Sequence, residues 1–337
     1  MSVLFLTHAR YLDHVAGGHH PERPARLEAV LEGVRRADLG DAIVAVEPRV
    51  ATRDELELVH PADYLDAMER FCAAGGGKID ADTGASPASY EVAVLAAGAG
   101  LTAVEALGAG AGTAAFCAVR PPGHHALASR SMGFCLLNNV AVTAGALADR
   151  GERVLIVDFD AHHGNGTQAV FYDDPRVVYV SMHEWPLYPG TGALNELGHG
   201  AALGTTVNLP LPAGATGDVF LASVDEVIAP IAAAWEPTWL LLSAGFDGHR
   251  LDPLTGLNLS SGDYAGLTSR LQTLVPSGRT IAFLEGGYDL GALSDSTGAC
   301  LSALAGVAFL PESPTSGGPG REVPGAALKM RERAFDD

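Results

Sequence analysis

The chain has 337 residues, of which 47% are hydrophobic, and its 40 acidic and 21 basic side chains give a formal net charge of −19 at pH 7. This charge disfavours nucleic-acid binding through phosphate contacts and favours cationic substrates. The four cysteines are widely spaced and include no CxxC pair, which argues against a structural zinc cluster and against a disulfide framework.

The apolar runs of the chain are too short for a signal peptide or a membrane span. Residues 3–6 form too short a run for a secretory signal. The longest apolar stretch, residues 92–104, stops at Glu105, short of the roughly 20 residues that a membrane span needs. We therefore expect a core helix at 92–104, no membrane partner, no nucleic-acid partner and a cytoplasmic protein.

Six short apolar runs are separated by segments with helical character, and each run ends in polar side chains. A run of Val, Leu and Ile is typical of a strand buried on both faces of a parallel sheet. In such sheets the carboxyl ends of neighbouring strands share one edge, where ligands bind. The sequence therefore predicts one α/β domain with a central, mostly parallel sheet flanked by helices. The runs and the polar residues after them are 3–6 (Thr7, His8), 116–119 (Arg120, His124, His125), 154–158 (Asp160, His162), 177–180 (Ser181, His183), 239–243 (Asp247, His249) and 280–284 (Glu285, Tyr288).

The run at 154–158 leads into the residues best suited to bind a metal ion. Asp160 and His162 are two positions apart, so on an extended backbone they point the same way, and a carboxylate with an imidazole suits Zn²⁺ or Fe²⁺. An isolated Asp-x-His at the end of a strand is more often a salt bridge or a helix cap than a metal site. Here, however, Asp247 and the paired His124 and His125 also follow apolar runs, which favours a metal site. With Asp247 as the third ligand, an open position is left for water and substrate.

Five motifs resemble, in the same order, those of the zinc-dependent deacetylases of the arginase/deacetylase superfamily. They lie at 120–126, 133–135, 158–168, 244–247 and 286–288. The segment that begins at Asn165 is closer to class II histone deacetylases, their bacterial relatives and acetylpolyamine amidohydrolases than to class I, where an aspartate is usual. The resemblance implies the arginase/deacetylase fold, with a catalytic domain over residues 1–310. The Pro/Gly-rich composition after it predicts a C-terminal arm over 311–337.

The resemblance also implies roles for individual residues. One Zn²⁺, with Fe²⁺ as the alternative, would be held by Asp160, His162 and Asp247, and water at the metal would attack an amide carbonyl. Asp158 would orient His124, and Asn165 would orient His125. Because a carboxylate stabilises an imidazolium whereas an amide only positions the ring, His125 should have the lower pKa and act as the general base. Tyr288 would donate its hydroxyl to the oxyanion.

Further positions match residues that bind substrate and monovalent cations in this family. Phe134 and Tyr188 match the aromatic walls of a narrow tunnel, and Leu254 matches the gatekeeper at its rim. Asp80 and Asp82 fall near an acidic rim. The remaining substrate-binding matches are Gly133, Gly287 and Arg26, of which Arg26 would lie in an internal cavity behind the metal. Two structural K⁺ sites match Asp158, Asp160, His162, Ser181 and Met182 in one case and Phe171, Asp174 and Val177 in the other.

The predicted reaction is the hydrolysis of an acetyl or other short acyl group from an acylated amine, with acyl-lysine as the favoured substrate. Acetylpolyamine amidohydrolase, identical in mechanism, is the main alternative. A non-catalytic acyl-lysine binding protein is disfavoured because both paired histidines and Tyr288 are present. A di-manganese ureohydrolase would need an aspartate where Gly164 stands. The sequence leaves open the oligomeric state and the roles of His19 and His20 in an entry loop.

Overall fold

The computed structural model describes residues 2–336, and within this range it contains ten β-strands and eleven α-helices. The strands are β1 Val3–Leu6, β2 Ile43–Val46, β3 Gly77–Lys78, β4 Gly84–Ala85, β5 Ala114–Cys117, β6 Val154–Asp158, β7 Val177–Glu184, β8 Thr206–Leu211, β9 Trp239–Ala244 and β10 Thr280–Leu284. The helices are α1 Ala25–Ala37, α2 Arg53–Glu57, α3 Ala62–Ala73, α4 Ser89–Gly108, α5 Asn139–Asp149, α6 Asn165–Phe171, α7 Gly217–Ser223, α8 Ala229–Trp235, α9 Ser261–Leu271, α10 Leu290–Ala305 and α11 Val323–Asp336.

Eight strands form one sheet in the order β2-β1-β5-β10-β9-β6-β7-β8, and every neighbouring pair is parallel. Six of these strands, β1, β5, β6, β7, β9 and β10, are buried along their whole length. Helices such as α4, α5 and α10 pack against the sheet, which explains why its strands are apolar on both faces. This architecture confirms the predicted α/β domain.

Two features of the sheet differ from the sequence prediction. β7 continues to Glu184 instead of ending at residue 180, so Ser181 and His183 lie within a strand. β2 and β8 have no counterpart among the six predicted runs. β8 contains Asn208 and Pro210, which interrupt its apolar pattern, and β2 is an edge strand whose residues are half-buried or exposed, so it is not a strand buried on both faces.

The apolar stretch at residues 92–104 lies in α4, as predicted. By length and composition α4 is apolar enough to cross a membrane, but 67% of its most apolar window is buried inside the protein. Gly98 lies against the main chain around Val50, and a Cβ atom there would collide with it. The helix is therefore packed as a core element.

The C-terminal segment is packed on the domain, although the sequence predicts only a surface arm there. Glu312 Oε2 lies 2.7 Å from Nε2 of His249, and the Thr315 hydroxyl donates to Asp263 at 2.7 Å. α11 then packs against the edge strand β8, with Val323 and Ala327 buried. The loop before α11 contains the Pro and Gly residues that suggested an arm. The domain boundary at residue 310 stays a prediction.

Candidate metal and catalytic site

The four central strands, β5, β10, β9 and β6, lead directly into the polar residues of the predicted site. β6 ends at Asp158, which is aligned with Ser243 on β9, and β10 ends at Leu284, aligned with Ala244. Because these strands are parallel, the loops that follow them meet at one edge of the sheet. Residues from positions 120 to 290 are thereby gathered into one site.

Asp160, His162 and Asp247 form one group whose ligand atoms all lie within 4.8 Å of one another. Nδ1 of His162 lies 3.2 Å from Oδ1 of Asp160 and 2.9 Å from Oδ2 of Asp247. Both carboxylates are fully buried. Two carboxylates and one imidazole are a donor set that suits Zn²⁺ or Fe²⁺, since their two negative charges balance a dication.

Main-chain amides hold the two carboxylates of this group. Asp160 accepts from the N–H of Gly286 at 2.7 Å and from that of His162 at 2.9 Å, and Asp247 accepts from the N–H of Ala161 at 2.9 Å. A Cβ atom on Gly286 would collide with oxygens of both carboxylates, so only glycine permits this close approach. The carboxylates therefore converge on one point, in a cradle that fits a metal ion.

His124 and His125 lie side by side with 4.0 Å between ring centres, but their partners differ. Nδ1 of His124 is 3.0 Å from Oδ2 of Asp158, and Nδ1 of His125 is 2.8 Å from Oδ1 of Asn165. Burial alone would lower the pKa of His124, but the negative charges of Asp158 and Asp160 outweigh it and raise this pKa to about 10. Burial and the positive charge of His124 lower the pKa of His125 well below 6.5. The two rings therefore differ in basicity, and His124 is the more basic of the pair.

A cavity of about 230 Å³ leads to this group from the surface. Its lining includes His125 and His162 at one end and the exposed edge of Leu254 at the other. The ring of Tyr188 stands edge-on to that of His125, with centres 5.2 Å apart, and Phe134 stands edge-on to Tyr288 at 5.7 Å. Four of the predicted substrate-binding residues line the cavity, namely Gly133, Phe134, Tyr188 and Leu254.

Arg26, which the resemblance places among the substrate-binding residues, in an internal cavity behind the metal, lies beneath the loop that carries Tyr288. It is fully buried, and its Nε donates to the carbonyl of Gly287 at 2.6 Å. A second nitrogen donates to the carbonyl of Glu285, and the guanidinium lies 5.0 Å from the centre of the Tyr288 ring. Since these donors are satisfied by protein oxygens, Arg26 supports the Tyr288 loop. Gly287 likewise lies behind the cavity lining.

Of the two acidic residues at the rim, Asp82 lines the cavity, whereas Asp80 turns back into its own loop. Oδ1 of Asp80 accepts from the N–H groups of Asp82 and Thr83 at 3.0 and 2.7 Å. His20, whose role the sequence left open, lies with Nε2 2.7 Å from the carbonyl of Asp82 and packs edge-on against Phe134. His20 therefore ties the acidic rim to the aromatic wall, while His19 is exposed.

The residues matched to cation sites fall into two places in the structure. Asp158 and Ser181 are aligned in neighbouring strands, and Ser181 Oγ lies 2.9 Å from Nδ1 of His183. In the turn before β7, the main-chain N–H of Asp174 donates to the carbonyl of Phe171 at 3.1 Å. The N–H of Val177 donates to the carbonyl of Asp174 at 3.3 Å. The occupation of both places by K⁺ stays a prediction.

Glu285 belongs to the site, although the sequence analysis gave it no role. Its Oε2 accepts from the N–H groups of Gly123 and His124 at 2.6 and 3.1 Å, so it holds the turn that carries the paired histidines. Burial raises the pKa of Glu285 to about 7. The signal in the sequence was an acidic residue at the end of an apolar strand, but the identity of its partners depends on a fold contact across about 160 residues.

Comparisons with known proteins agree with this geometry. The family model of the histone deacetylase domain matches residues 20–304. A probable deacetylase of Archaeoglobus fulgidus is 39% identical over 306 residues, which cover 89% of this chain and 85% of that protein. Histone deacetylase 10, chloroplastic, of Oryza sativa subsp. japonica is 37% identical over 325 residues, covering 89% of this chain and 73% of that protein. The crystal structure of the HDA15 HD domain superimposes with a TM-score of 0.87 at 34% identity, over 99% of this chain and 94% of that one.

Proposed function

This chain belongs to the histone deacetylase family and is a deacetylase, and we propose that it removes acetyl or other short acyl groups from lysine side chains by metal-dependent hydrolysis. One observation carries the proposal. A single narrow cavity ends where the Asp160, His162 and Asp247 group, the paired histidines and Tyr288 meet. An extended acyl-lysine side chain fits such a cavity, because its alkyl chain contacts aromatic walls while its amide reaches the polar end.

We propose that Asp160, His162 and Asp247 hold one Zn²⁺, with Fe²⁺ as the alternative. The proposal is supported by the convergence of the two buried carboxylates and Nδ1 of His162. A metal ion held there would polarise the amide carbonyl and lower the pKa of a water molecule.

The residues of the chain would supply the proton transfers of the reaction. His125, whose pKa is lowered, takes a proton from the water molecule while the oxygen of that water bonds to the carbonyl carbon of the substrate. His124, whose pKa is raised, carries a proton that it can give to the amine nitrogen as the carbon–nitrogen bond breaks. The Tyr288 hydroxyl donates to the carbonyl oxygen as negative charge develops on it. The products are a carboxylate and a free amine.

Two observations at the rim bear on the substrate. Leu254 presents an apolar, 38% exposed side chain at the mouth of the cavity, which offers no partner to a second ammonium group of a polyamine. Asp82 also lines the cavity, and its carboxylate favours the second candidate, an acylpolyamine amidohydrolase. We favour acyl-lysine because Asp82 Oδ1 accepts from the Thr83 hydroxyl at 2.8 Å, which partly satisfies its charge.

The test is a panel assay of the purified protein, loaded in parallel with Zn²⁺ and with Fe²⁺. Peptides with acetyl-, propionyl- and butyryl-lysine are compared with acetylputrescine and acetylspermidine. We expect kcat/KM to be highest for an acyl-lysine peptide. Turnover of acetylpolyamines above that of every acyl-lysine peptide would select the second candidate, and no turnover of any substrate with either metal would reject both.

We also propose that the carbonyl oxygens near Asp158 and Ser181, and those of the turn at residues 171–177, bind structural K⁺. A cation that binds only the folded state stabilises it by mass action. The melting temperature should therefore be higher in KCl than in tetramethylammonium chloride of equal ionic strength. Equal melting temperatures in the two salts would reject this assignment.

A further inference from the structure

The carboxylate of Asp252 joins the loop that carries Tyr288 to the loop that forms the cavity rim. Its Oδ2 accepts from the N–H of Tyr288 at 2.7 Å and from that of Asp289 at 3.3 Å. Its Oδ1 accepts from the N–H of Leu254 at 3.0 Å. Asp252 is only 7% exposed, so both oxygens make these bonds away from bulk water. Hydrogen bonds from main-chain amides to a buried carboxylate are charge-assisted and strong.

The peptide group between Gly287 and Tyr288 is consequently held at both ends. Its carbonyl accepts from Nε of Arg26 at 2.6 Å, and its N–H donates to Asp252 at 2.7 Å. Gly287 has a φ of +122°, a conformation that glycine adopts readily and that residues with a Cβ atom rarely adopt. Two opposed bonds fix the plane of this peptide, and the direction of the Tyr288 side chain follows from that plane.

The rim loop has anchors of its own besides Asp252. The Thr255 hydroxyl donates to the carbonyl of Asp247 at 2.5 Å, and the N–H of Gly256 donates to Glu184 at 2.6 Å. Before Leu254, the main-chain N–H of Asp252 donates to the carbonyl of His249 at 2.8 Å. Removing the Asp252 carboxylate would therefore leave the loop attached at both sides of Leu254. The part that loses its support is the Gly287–Tyr288 peptide, which would keep only the bond from Arg26.

We propose that Asp252 is a positioning residue for deacylation, which aims the Tyr288 hydroxyl at the substrate carbonyl by fixing the main chain of Tyr288. This inference rests on the proposed function. It extends that function because Asp252 lies outside the ligand group, the paired histidines and the cavity lining. It also makes the rim and the oxyanion donor parts of one hydrogen-bonded unit.

The first test compares Asp252→Ala and Asp252→Asn with the wild type on an acetyl-lysine peptide. Asparagine has nearly the same shape but only one acceptor oxygen, so it keeps the fold but cannot accept from Leu254 on one side and from Tyr288 and Asp289 on the other at the same time. We expect kcat to fall about 10- to 100-fold, because misplacing a catalytic group by about 1 Å has effects of that order. KM should change less than about threefold, since the lost interaction forms mainly in the transition state. Metal content should equal that of the wild type.

Asp263→Asn is the matched control. Asp263 is also buried, and its two oxygens accept from the N–H groups of Ser260 and Thr315, away from the cavity. Asp263→Asn should lower the melting temperature by about as much as Asp252→Asn does, and it should leave kcat unchanged. An equal loss of kcat in both variants would mean that general destabilisation explains the effect, and the inference would be overturned.

A double-mutant cycle with Tyr288→Phe tests whether Asp252 acts through the tyrosine. If the hydroxyl is absent, Asp252→Ala should reduce kcat by less than about twofold, because interacting residues are not additive. A trifluoroacetyl-lysine peptide, whose carbonyl is more electrophilic, keeps the residual rate measurable. If the wild type is active and Asp252→Ala lowers kcat in the Tyr288→Phe variant as much as it does in the wild type, the inference is overturned. An inactive wild type in the same assay would overturn the proposed function as well.

Discussion

The side-chain oxygen of Asn165 lies 2.8 Å from Nδ1 of His125. Asn165 is neutral, so this bond orients the imidazole without adding a charge that would stabilise its protonated form. The neighbouring His124 has a carboxylate, Asp158, in the equivalent place. The amide and the carboxylate therefore contribute to the difference in pKa between the two rings, together with burial, the negative charge of Asp160 near His124 and the positive charge of His124 near His125.

Replacing this amide by a carboxylate should change the pH dependence of the reaction. In Asn165→Asp, the new charge should raise the pKa of His125 by about 1 to 3 units. His125 would then be protonated at a higher pH and unable to accept a proton, so the acidic limb of the kcat/KM profile should move to higher pH. Asn165→Ala is the control, which should lower the rate without moving that limb upward. An acidic limb at the same pH in Asn165→Asp would contradict the role of His125.

Metal binding should depend on Asp247, and the protein should hold one metal ion per chain. In Asp247→Ala only two ligands remain, so elemental analysis should find nearly complete loss of the metal while far-UV circular dichroism is retained. Asp173→Ala, which removes a carboxylate that is 76% exposed, should keep its metal. Two tightly bound ions per chain, or an unchanged metal content in Asp247→Ala, would rule out the mononuclear site.

Leu254 should set part of the preference for lysine over polyamine substrates. Leu254→Glu adds a charge at the rim that can pair with a second ammonium group. The ratio of kcat/KM for acetylspermidine to that for an acetyl-lysine peptide should rise about fivefold, equivalent to about 1 kcal/mol for a solvent-screened pair. Leu251→Glu adds the same charge at a 59% exposed neighbour that does not line the cavity. Equal ratios in the two variants would show that net charge, not the rim position, is responsible.

Stability should decrease between pH 6.5 and pH 4 because of His60, which lies far in the sequence from the proposed metal ligands. Its Nδ1 lies 2.9 Å from the carbonyl of Ala128, and its Nε2 accepts from the N–H of Asn138 at 2.9 Å. Burial lowers the pKa of His60 to about 4 from 6.5. Between these values the unfolded chain binds a proton that the folded chain does not, so acid favours unfolding.

The expected contribution is roughly 2 kcal/mol of unfolding free energy lost between pH 7 and pH 5. Urea denaturation at both pH values measures it. His60→Gln should be less stable at pH 7 and should lose less on acidification than the wild type. His199→Gln, at a side chain that is 80% exposed, should follow the wild type. If the free energy of unfolding of His60→Gln fell with pH as much as that of the wild type, His60 would not be the cause of the acid sensitivity.

The ligand group was predictable because of where its members lie relative to the strands. Asp160, His162 and Asp247 each follow an apolar run closely, and parallel strands bring such positions to one edge. The spacing of two between Asp160 and His162 further indicates a shared direction. The same logic located Tyr288 after β10. A pattern in the sequence therefore suffices where a residue acts through its side chain near the end of a strand.

The supporting residues were not predictable in this way. Arg26, Glu285 and Asp252 act through hydrogen bonds to the main chain of distant segments, and a main-chain partner has no residue type to recognise. The motifs place Arg26 in an internal cavity behind the metal, but they do not reveal that it donates to the carbonyls of residues 285 and 287. β8 was missed for a different reason, because Asn208 and Pro210 interrupt its apolar pattern. The helix α11 packs against β8, and the composition of the C-terminal segment does not reveal this contact.

The order of strands in the sheet places β10, the last to be synthesised, in the middle. On one side of it lie β5, β1 and β2, and on the other lie β9, β6, β7 and β8. The loops after β6 and β9 carry all three proposed metal ligands, whereas the paired histidines follow β5. In any fragment that ends before residue 280, ligands and histidines would belong to two separate sheets. The hydrolytic centre and the continuity of the sheet thus depend on the same five residues, Thr280–Leu284.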